Sequence, residues 1–282
     1  MKICVAGLGL IGGSLCMALK RAGHFVAGWN RSQKPVEYAL KNGIIDEKAV
    51  NFIYDAVIVA LPPEATEEFI DKQTFKDGGI VADICGVKKF IEDSVYSKPR
   101  NFRYVGCHPM AGKEVSGIEN ACADLFDRAN MVITSAPSTD KDALETMRKL
   151  TKDIGFEYLA ECSAETHDRK IAYTSQLAHI VSNAYVKNEE MKGCLHFTGG
   201  SFQDMTRIAG VDENVWSSLY LKNKQNLSEN IKKLIDSLDE LRSAIDGGDV
   251  NLLKEVLREG KVRFENCGNL YAYDDISVRK LK

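Results

Sequence analysis

The stretch Lys2-Ile3-Cys4-Val5-Ala6-Gly7-Leu8-Gly9-Leu10-Ile11-Gly12-Gly13-Ser14 decides the fold. A short apolar run leads straight into G-x-G-x-x-G, and a helix-like segment, Gly13-Ser14-Leu15-Cys16-Met17-Ala18-Leu19, follows it. A lone glycine match is weak, but between a strand and a helix it has a mechanism. Gly7 permits the tight turn, Gly9 lets the backbone approach a pyrophosphate, and Gly12 lets helix and strand pack closely. The anion then rests on free N–H groups at the positive end of the helix. Gly7, Leu8, Gly9, Leu10, Ile11 and Gly12 are therefore expected to cradle a dinucleotide.

Outward from this loop, strand-like runs recur at 2–7, 25–29, 56–60, 80–83, 104–107, 131–134 and 156–159. Several are continuously apolar, such as Ala56-Val57-Ile58-Val59-Ala60, as in parallel strands covered on both faces. Helical stretches, 12–21 and 140–152 among them, lie between. The alternation predicts an α/β, Rossmann-type, doubly wound sheet over residues 1–160. Beyond 160 the strand signals stop, and 163–186, 213–245 and 249–267 read as helices. Leu227, Ile231, Leu234, Ile235, Leu238, Leu241 and Ile245 form one stripe. Gly247-Gly248 is read as a helix stop and Asp249 as the next N-cap. Residues 161–282 are thus expected to form an all-α substrate-binding domain. Its stripe either packs internally or forms a homodimer, and its apolar content relative to its size favours the dimer.

Length and composition set outer bounds. The 282 residues suffice for two domains, and 44% hydrophobic with 27% charged residues is ordinary globular composition. A net charge of −3 gives no basis for nucleic-acid or basic membrane-surface binding. No apolar run approaches the roughly 20 residues of a bilayer span. The first residues are too short for a signal peptide, so a cytoplasmic protein is expected. Eight cysteines are scattered without metal-type spacing, so no metal is expected. Cys4, Cys85 and Cys107 read as small buried hydrophobes in a reducing compartment. The tail Arg279-Lys280-Leu281-Lys282 reads as solvated.

The second strand ends Asn30-Arg31-Ser32, where an NAD site usually carries a ribose-binding carboxylate. A carboxylate would repel a 2′-phosphate, whereas Arg31 can pair with one. NADP is therefore expected over NAD, with Asn30, Arg31 and Ser32 at the adenosine end. Ala60-Leu61-Pro62-Pro63 and Asp83-Ile84-Cys85-Gly86-Val87-Lys88 end two further strands, where open α/β sheets place ligands. Leu61, Pro62, Asp83 and Val87 are expected on the nicotinamide side.

The segment Gly106-Cys107-His108-Pro109-Met110-Ala111-Gly112-Lys113-Glu114-Val115-Ser116-Gly117 follows the fifth strand, and Gly199-Gly200-Ser201-Phe202-Gln203-Asp204-Met205-Thr206-Arg207-Ile208-Ala209 lies in the helical half. With these, the glycine loop and the Asp83–Lys88 strand end, the chain resembles the prephenate/arogenate dehydrogenase family over roughly residues 2 to 220. The resemblance implies oxidative decarboxylation of a cyclohexadiene, with hydride leaving C4 for the nicotinamide and carbon dioxide leaving C1. It implies His108 as the base that takes the 4-hydroxyl proton, a role suited to an imidazole near neutrality. It implies Arg207 on a substrate carboxylate through a two-pronged contact, with Asp204 steadying it; residue type alone allows an Asp204–Arg207 helix pair instead. His179, which shares a helical face with Ser175, Gln176 and Asn183, and Glu114, Gly112, Gly200 and Trp216 also match family site positions. Two departures stand out. Gly86 replaces the family's serine, which contacts the substrate hydroxyl, and Ser175-Gln176-Leu177-Ala178-His179 lacks the family's first histidine and its proline. Two other classes compete: a 3-hydroxyacid- or imine-type NADP-dependent reductase using Lys170 or Lys187, and a non-enzymatic dinucleotide sensor.

Overall fold

The computed structural model describes residues 1–113, 115–266 and 275–281. Two compact units emerge. The first holds Met1–Asp168, Asn214–Lys222 and Ser277–Lys282, and the second Arg169–Glu213 and Asn223–Ile276. The units interleave along the chain, where a single boundary near 160 was expected.

In the first unit the strands are β1 (Lys2–Ala6), β2 (Phe25–Trp29), β3 (Glu47–Lys48), β4 (Ala56–Val59), β5 (Ile80–Asp83), β6 (Arg103–Met110), β7 (Asn130–Thr134), β8 (Tyr158–Cys162) and β9 (Ser277–Lys280). They form one sheet in the order β3-β2-β1-β4-β5-β6-β7-β8-β9. Pairing is parallel from β3 through β6, antiparallel between β6 and β7, parallel between β7 and β8, and antiparallel between β8 and β9. The strand order reverses beside β1, so the crevice past its C-terminal end is the place for a ligand. Helices α1 (Leu10–Arg21), α2 (Gln33–Lys41), α3 (Pro63–Lys72), α4 (Lys89–Tyr96) and α5 (Lys141–Ile154) connect the strands. For α5 the ends are legible in detail. The Asp140 carboxylate accepts the Ala143 N–H at 2.8 Å, and Gly155 closes the helix in the left-handed region.

The unbroken apolar runs have a simple cause. Ile3, Val5, Ala56 and Ile58 feed a core with Leu15 and Leu19 of α1 and Met147 and Leu150 of α5. Cys4, Ala6, Val57 and Val59 point the other way, into a core with Phe52, Phe69, Phe75 and Phe102. Both faces of each strand are therefore buried, and each large apolar side chain so placed is worth about 1.5–3 kcal/mol.

Beyond 160 the reading needs three corrections. The helix expected over 163–186 is α6 (Ala164–Ile171), a π-turn (Ala172–Leu177) and α7 (Ala178–Tyr185). The helix expected over 213–245 is α9 (Glu213–Lys222) and α10 (Lys224–Asp246), which follow α8 (Gly200–Thr206). They break at Asn223, which leaves helical geometry and donates its amide to Gln176 Oε1 at 2.9 Å. The tail is not simply solvated. It forms β9, Arg279 pairs with Glu161 of β8 at 2.8 Å, and Leu281 packs against the sheet core. Lys282 lies outside the described residues. The last helix is α11 (Val250–Asn266), and Cys267, at its expected end, also lies outside them. On α10 Leu227 is buried, but Ile235, Leu238 and Ile245 remain more than half exposed.

Candidate active site

The glycine loop has the shape its spacing predicts. Gly7 adopts a φ of +106°, and a Cβ there would lie 2.2 Å from the Ala60 carbonyl oxygen. A Cβ on Gly12 would fall 1.8 Å from the Gly7 oxygen, so neither position admits a side chain. At Gly9, by contrast, nothing lies within 4 Å of an added Cβ. The backbone is thus bare on the side from which a pyrophosphate would approach. Gly9 caps α1 without a side-chain hydrogen bond, and the first turn carries no acidic residue. The positive end of α1 is left for an anion, and the loop residues fit a dinucleotide.

Asn30 ties this loop to β2. Its Oδ1 accepts the Leu8 N–H at 3.0 Å, and its Nδ2 donates to Ser32 at 3.2 Å. Asn30, Arg31 and Ser32 line a cavity of about 450 Å³ with Trp29, Leu61, Pro62, Lys72 and Gln73, a size suited to a nucleoside. Arg31 and Ser32 are exposed at its rim. Leu61 and Pro62 continue into a second, smaller cavity of about 260 Å³. Ile11, Gly86, His108, Pro109, Ala111, Val215 and Leu219 complete that apolar space.

The Asp83–Lys88 turn requires a correction. Asp83 and Val87, expected to face the nicotinamide, are fully buried. The Asp83 carboxylate turns into the protein. It pairs with the Lys88 ammonium, accepts the Cys85 N–H at 2.8 Å and accepts the Tyr104 hydroxyl at 2.6 Å. Lys88 is likewise fully buried, and it also donates to the Cys107 carbonyl at 2.6 Å. An ion pair at this depth persists only because each remaining hydrogen-bonding group finds a partner. Its effect is to fix the strand end that carries His108. Burial and Asp83 push the Tyr104 hydroxyl well up, so it stays a donor. Burial also raises the Cys85 and Cys107 thiols to about 12, which leaves them inert.

His108 follows the buried residues 104–107 of β6 and is itself half-buried. Its Nδ1 lies 2.8 Å from His167 Nε2, and His167 Nδ1 lies 2.7 Å from Asp168 Oδ1. Asp168 accepts the Lys88 and Lys89 N–H groups at 2.8 and 3.0 Å, at the start of α4. With Nδ1 engaged, His108 presents Nε2 toward Gly86, where a Cβ would lie 3.8 Å away. Burial, with His167 and then Lys88 nearby, lowers the His108 pKa well below the ordinary imidazole range. Burial lowers His167 too, against the opposing pull of Asp168. His108 therefore presents a neutral imidazole to an apolar cavity. His167, Asp168, Lys88 and Tyr104 went unread in the sequence. The adjacent His-Asp pair at the start of a helix was the one available signal.

Trp216 was expected in the site, but it is its neighbours Val215 and Leu219 that line the cavity. Trp216 packs against Tyr220 with ring centroids 5.6 Å apart. Gly112 is exposed just after β6, and Glu114 lies outside the described residues.

In the second unit the polar face of α7 meets the segment that follows α8. His179 Nδ1 donates to the Ile208 carbonyl at 3.0 Å, Ser182 Oγ to Met205 at 2.6 Å, and Asn183 Nδ2 to Ala209 at 3.2 Å. These bonds fix the turn that carries Arg207, while Asp204 and Gly200 are exposed on α8. The π-turn stands immediately before α7, a distortion frequent at functional sites. Groups of three or more His, Cys, Asp or Glu placed to hold a metal are absent among the described residues.

A family model described as "prephenate dehydrogenase, nucleotide-binding domain" matches residues 15–159, and one described as "prephenate dehydrogenase, dimerization domain" matches 163–259. The chain is 30% identical to the prephenate dehydrogenase of Bacillus subtilis (strain 168), across 92% of this chain and 74% of that protein. Among solved structures, it is similar to prephenate dehydrogenase from A. aeolicus in complex with hydroxyphenyl propionate and NAD+. The TM-score is 0.85 and the identity 28%, covering 94% of this chain and 98% of that one. It is also similar to Synechocystis arogenate dehydrogenase, with a TM-score of 0.79 and 26% identity over 94% and 99% of the two chains.

Proposed function

The chain belongs to the prephenate dehydrogenase family, and from that premise we propose that it oxidatively decarboxylates prephenate or arogenate with His108 as general base. The products are 4-hydroxyphenylpyruvate or tyrosine. Family membership displaces the reductase and sensor readings. The observation that carries the assignment of the base is the orientation of His108: one ring nitrogen is held by His167, and the other faces an apolar cavity that shares Leu61 and Pro62 with the nucleoside cavity.

When bound, the nicotinamide dinucleotide supplies the acceptor for the hydride that leaves C4. The chain does the rest. Gly7, Gly9 and Gly12 admit the pyrophosphate, and Leu61 and Pro62 separate the nucleoside cavity from the reacting one. His108 Nε2 takes the hydroxyl proton as C4 becomes a carbonyl carbon. Loss of carbon dioxide from C1 then makes the ring aromatic, which draws the sequence forward. Ile11, Val215 and Leu219 exclude water from the ring. Arg207 holds a substrate carboxylate, steadied by Asp204, and His179 fixes the turn that carries Arg207. Glu114, Gly112 and Gly200 complete the substrate residues of this reading.

NADP is the favoured cofactor. β2 ends without a carboxylate, and Arg31 and Ser32 offer a 2′-phosphate positive charge and hydrogen bonds at the cavity rim, where Lys72 is paired with Glu68. A homodimer through the helical unit accounts for the exposed apolar stripe of α10. The match of 163–259 to a dimerization domain supports it.

The test compares initial rates for prephenate and arogenate with each of NAD and NADP, for the wild type and His108→Asn. The expected outcome is turnover of at least one cyclohexadiene, faster with NADP. In His108→Asn, turnover should drop about 10²- to 10⁴-fold while cofactor binding is kept. Near-normal turnover in that variant would overturn the assignment of the base.

A further inference from the structure

The two ring nitrogens of a neutral imidazole are not equivalent, because one carries hydrogen and the other a lone pair. Which nitrogen of His108 is basic is decided two hydrogen bonds away from it, at Asp168. The Asp168 carboxylate is clamped by two backbone donors, the N–H groups of Lys88 and Lys89, at the positive end of α4. Those donors cannot reverse their direction, so Asp168 is an acceptor, and the His167 nitrogen 2.7 Å from it must carry hydrogen. His167 is 2% exposed, which disfavours a second proton on its ring, so its Nε2 is a lone pair. That lone pair faces His108 Nδ1 at 2.8 Å, which must therefore donate. The lone pair of His108 is left on Nε2, the nitrogen beside Gly86 and the apolar cavity.

We propose that His167 and Asp168 are positioning residues that lock His108 into the Nδ1–H tautomer and take a share of the proton it accepts. This inference rests on the reading of His108 as the base. The proton accounting is direct. The substrate hydroxyl proton bonds to His108 Nε2, and the His108 Nδ1 proton shifts along its hydrogen bond to His167 Nε2. The positive charge then sits on the imidazole next to Asp168. The two rings and the carboxylate act as one acceptor, with the charge drawn away from the nicotinamide side as the hydride departs. Asp168 has a structural task as well, since it holds the first turn of α4. The test therefore separates the two tasks.

Asp168→Asn keeps the size of the side chain but removes its charge. The amide oxygen keeps the position that accepts both the Lys88 N–H and the His167 Nδ1–H, so the tautomers are kept while the negative charge that would hold a proton on His167 is lost. The expected result is a fall in kcat of about 10²-fold or more, with KM and cofactor affinity nearly unchanged. His167→Gln leaves the α4 contacts of Asp168 alone and is expected to lower kcat in the same way, which covers the case in which Asp168→Asn does not fold. Nitrogen-15 spectra of histidine-labelled wild-type protein give a readout that a structural role would not move. His108, assigned by its loss in His108→Asn, should show a protonated Nδ1 and a bare Nε2 at neutral pH. A wild-type His108 protonated on Nε2, or a His167→Gln enzyme with kcat within about threefold of wild type, overturns the proposal. If His108→Asn is itself active, it is the base assignment that falls. If His108→Asn is dead while both relay variants turn over normally, only the relay falls.

Discussion

Replacing Gly86 with alanine, serine and valine in turn separates space from hydrogen bonding beside His108. A Cβ at this position would lie 3.4 Å from Leu219 Cδ2 and 3.8 Å from His108 Cε1 and Nε2, so alanine fits at ordinary contact distances. Gly86 is not in the left-handed region, so gaining a methyl group costs no backbone strain. The smaller entropy of the unfolded chain should stabilise the alanine variant by about 0.4–1 kcal/mol. Serine extends one bond further, into the cavity, within reach of both Nε2 and a substrate hydroxyl. A hydrogen bond there is worth about 0.5–1.5 kcal/mol, which corresponds to a serine-to-alanine ratio in kcat/KM of roughly 2 to 10. Valine places two methyl groups between Leu219 and His108 and should lower kcat/KM by at least about tenfold by displacing the ring, without lowering Tm. Steady-state rates followed by nicotinamide absorbance, with thermal melts alongside, read all three variants. Serine no better than alanine, or valine as active as the wild type, would show that the substrate hydroxyl does not lie beside residue 86.

Four further outcomes follow from the same geometry. His108 and His167 both have folded pKa values below the ordinary 6.5, so the base should remain neutral through that pH, and the acid limb of kcat/KM should fall clearly below 6.5. By the same sign, the unfolded chain binds more protons below 6.5, so Tm should decline as pH falls through that value and be insensitive to these groups above it. Lys88→Met strands the Asp83 carboxylate in the core and should cost about 3–5 kcal/mol in denaturant unfolding; an unchanged midpoint would refute the importance of the pair. Arg31→Ala should raise KM for NADP about 10- to 150-fold and leave NAD nearly unaffected, as expected for loss of one charge-assisted contact worth about 1.5–3 kcal/mol.

The fold was legible where local pattern and tertiary burial agree. The runs Val26-Ala27-Gly28 and Ala56-Val57-Ile58-Val59 are buried on both faces, so their apolar continuity states their environment directly. Gly7 and Gly12 are required by steric contacts that spacing alone announces. The tail was misread because Arg279 and Lys280 look like solvated charges, and only Glu161 and Glu157, contributed by β8 and the residue preceding it, give them partners. In the candidate site, His108 could be singled out because it lies in a distinctive segment. His167 and Asp168 act through a contact that joins residues 59 apart, and no local periodicity encodes that. Asp83 was misplaced for the converse reason: a carboxylate at a strand end reads as a ligand contact, and only the buried Lys88 shows that it faces inward.

The late strand β9 has a consequence for synthesis. Its partner β8 leaves the ribosome before the whole of the helical unit, and β9 comes after it. At about 5–20 residues per second, the outer border of the nascent sheet stays open for on the order of ten seconds. An open border is where two unfinished copies can stick together. During that wait Glu161 keeps Arg148 of α5 as its partner, but Glu157 stands without Lys280, and its negative charge repels the same border of a neighbouring nascent chain.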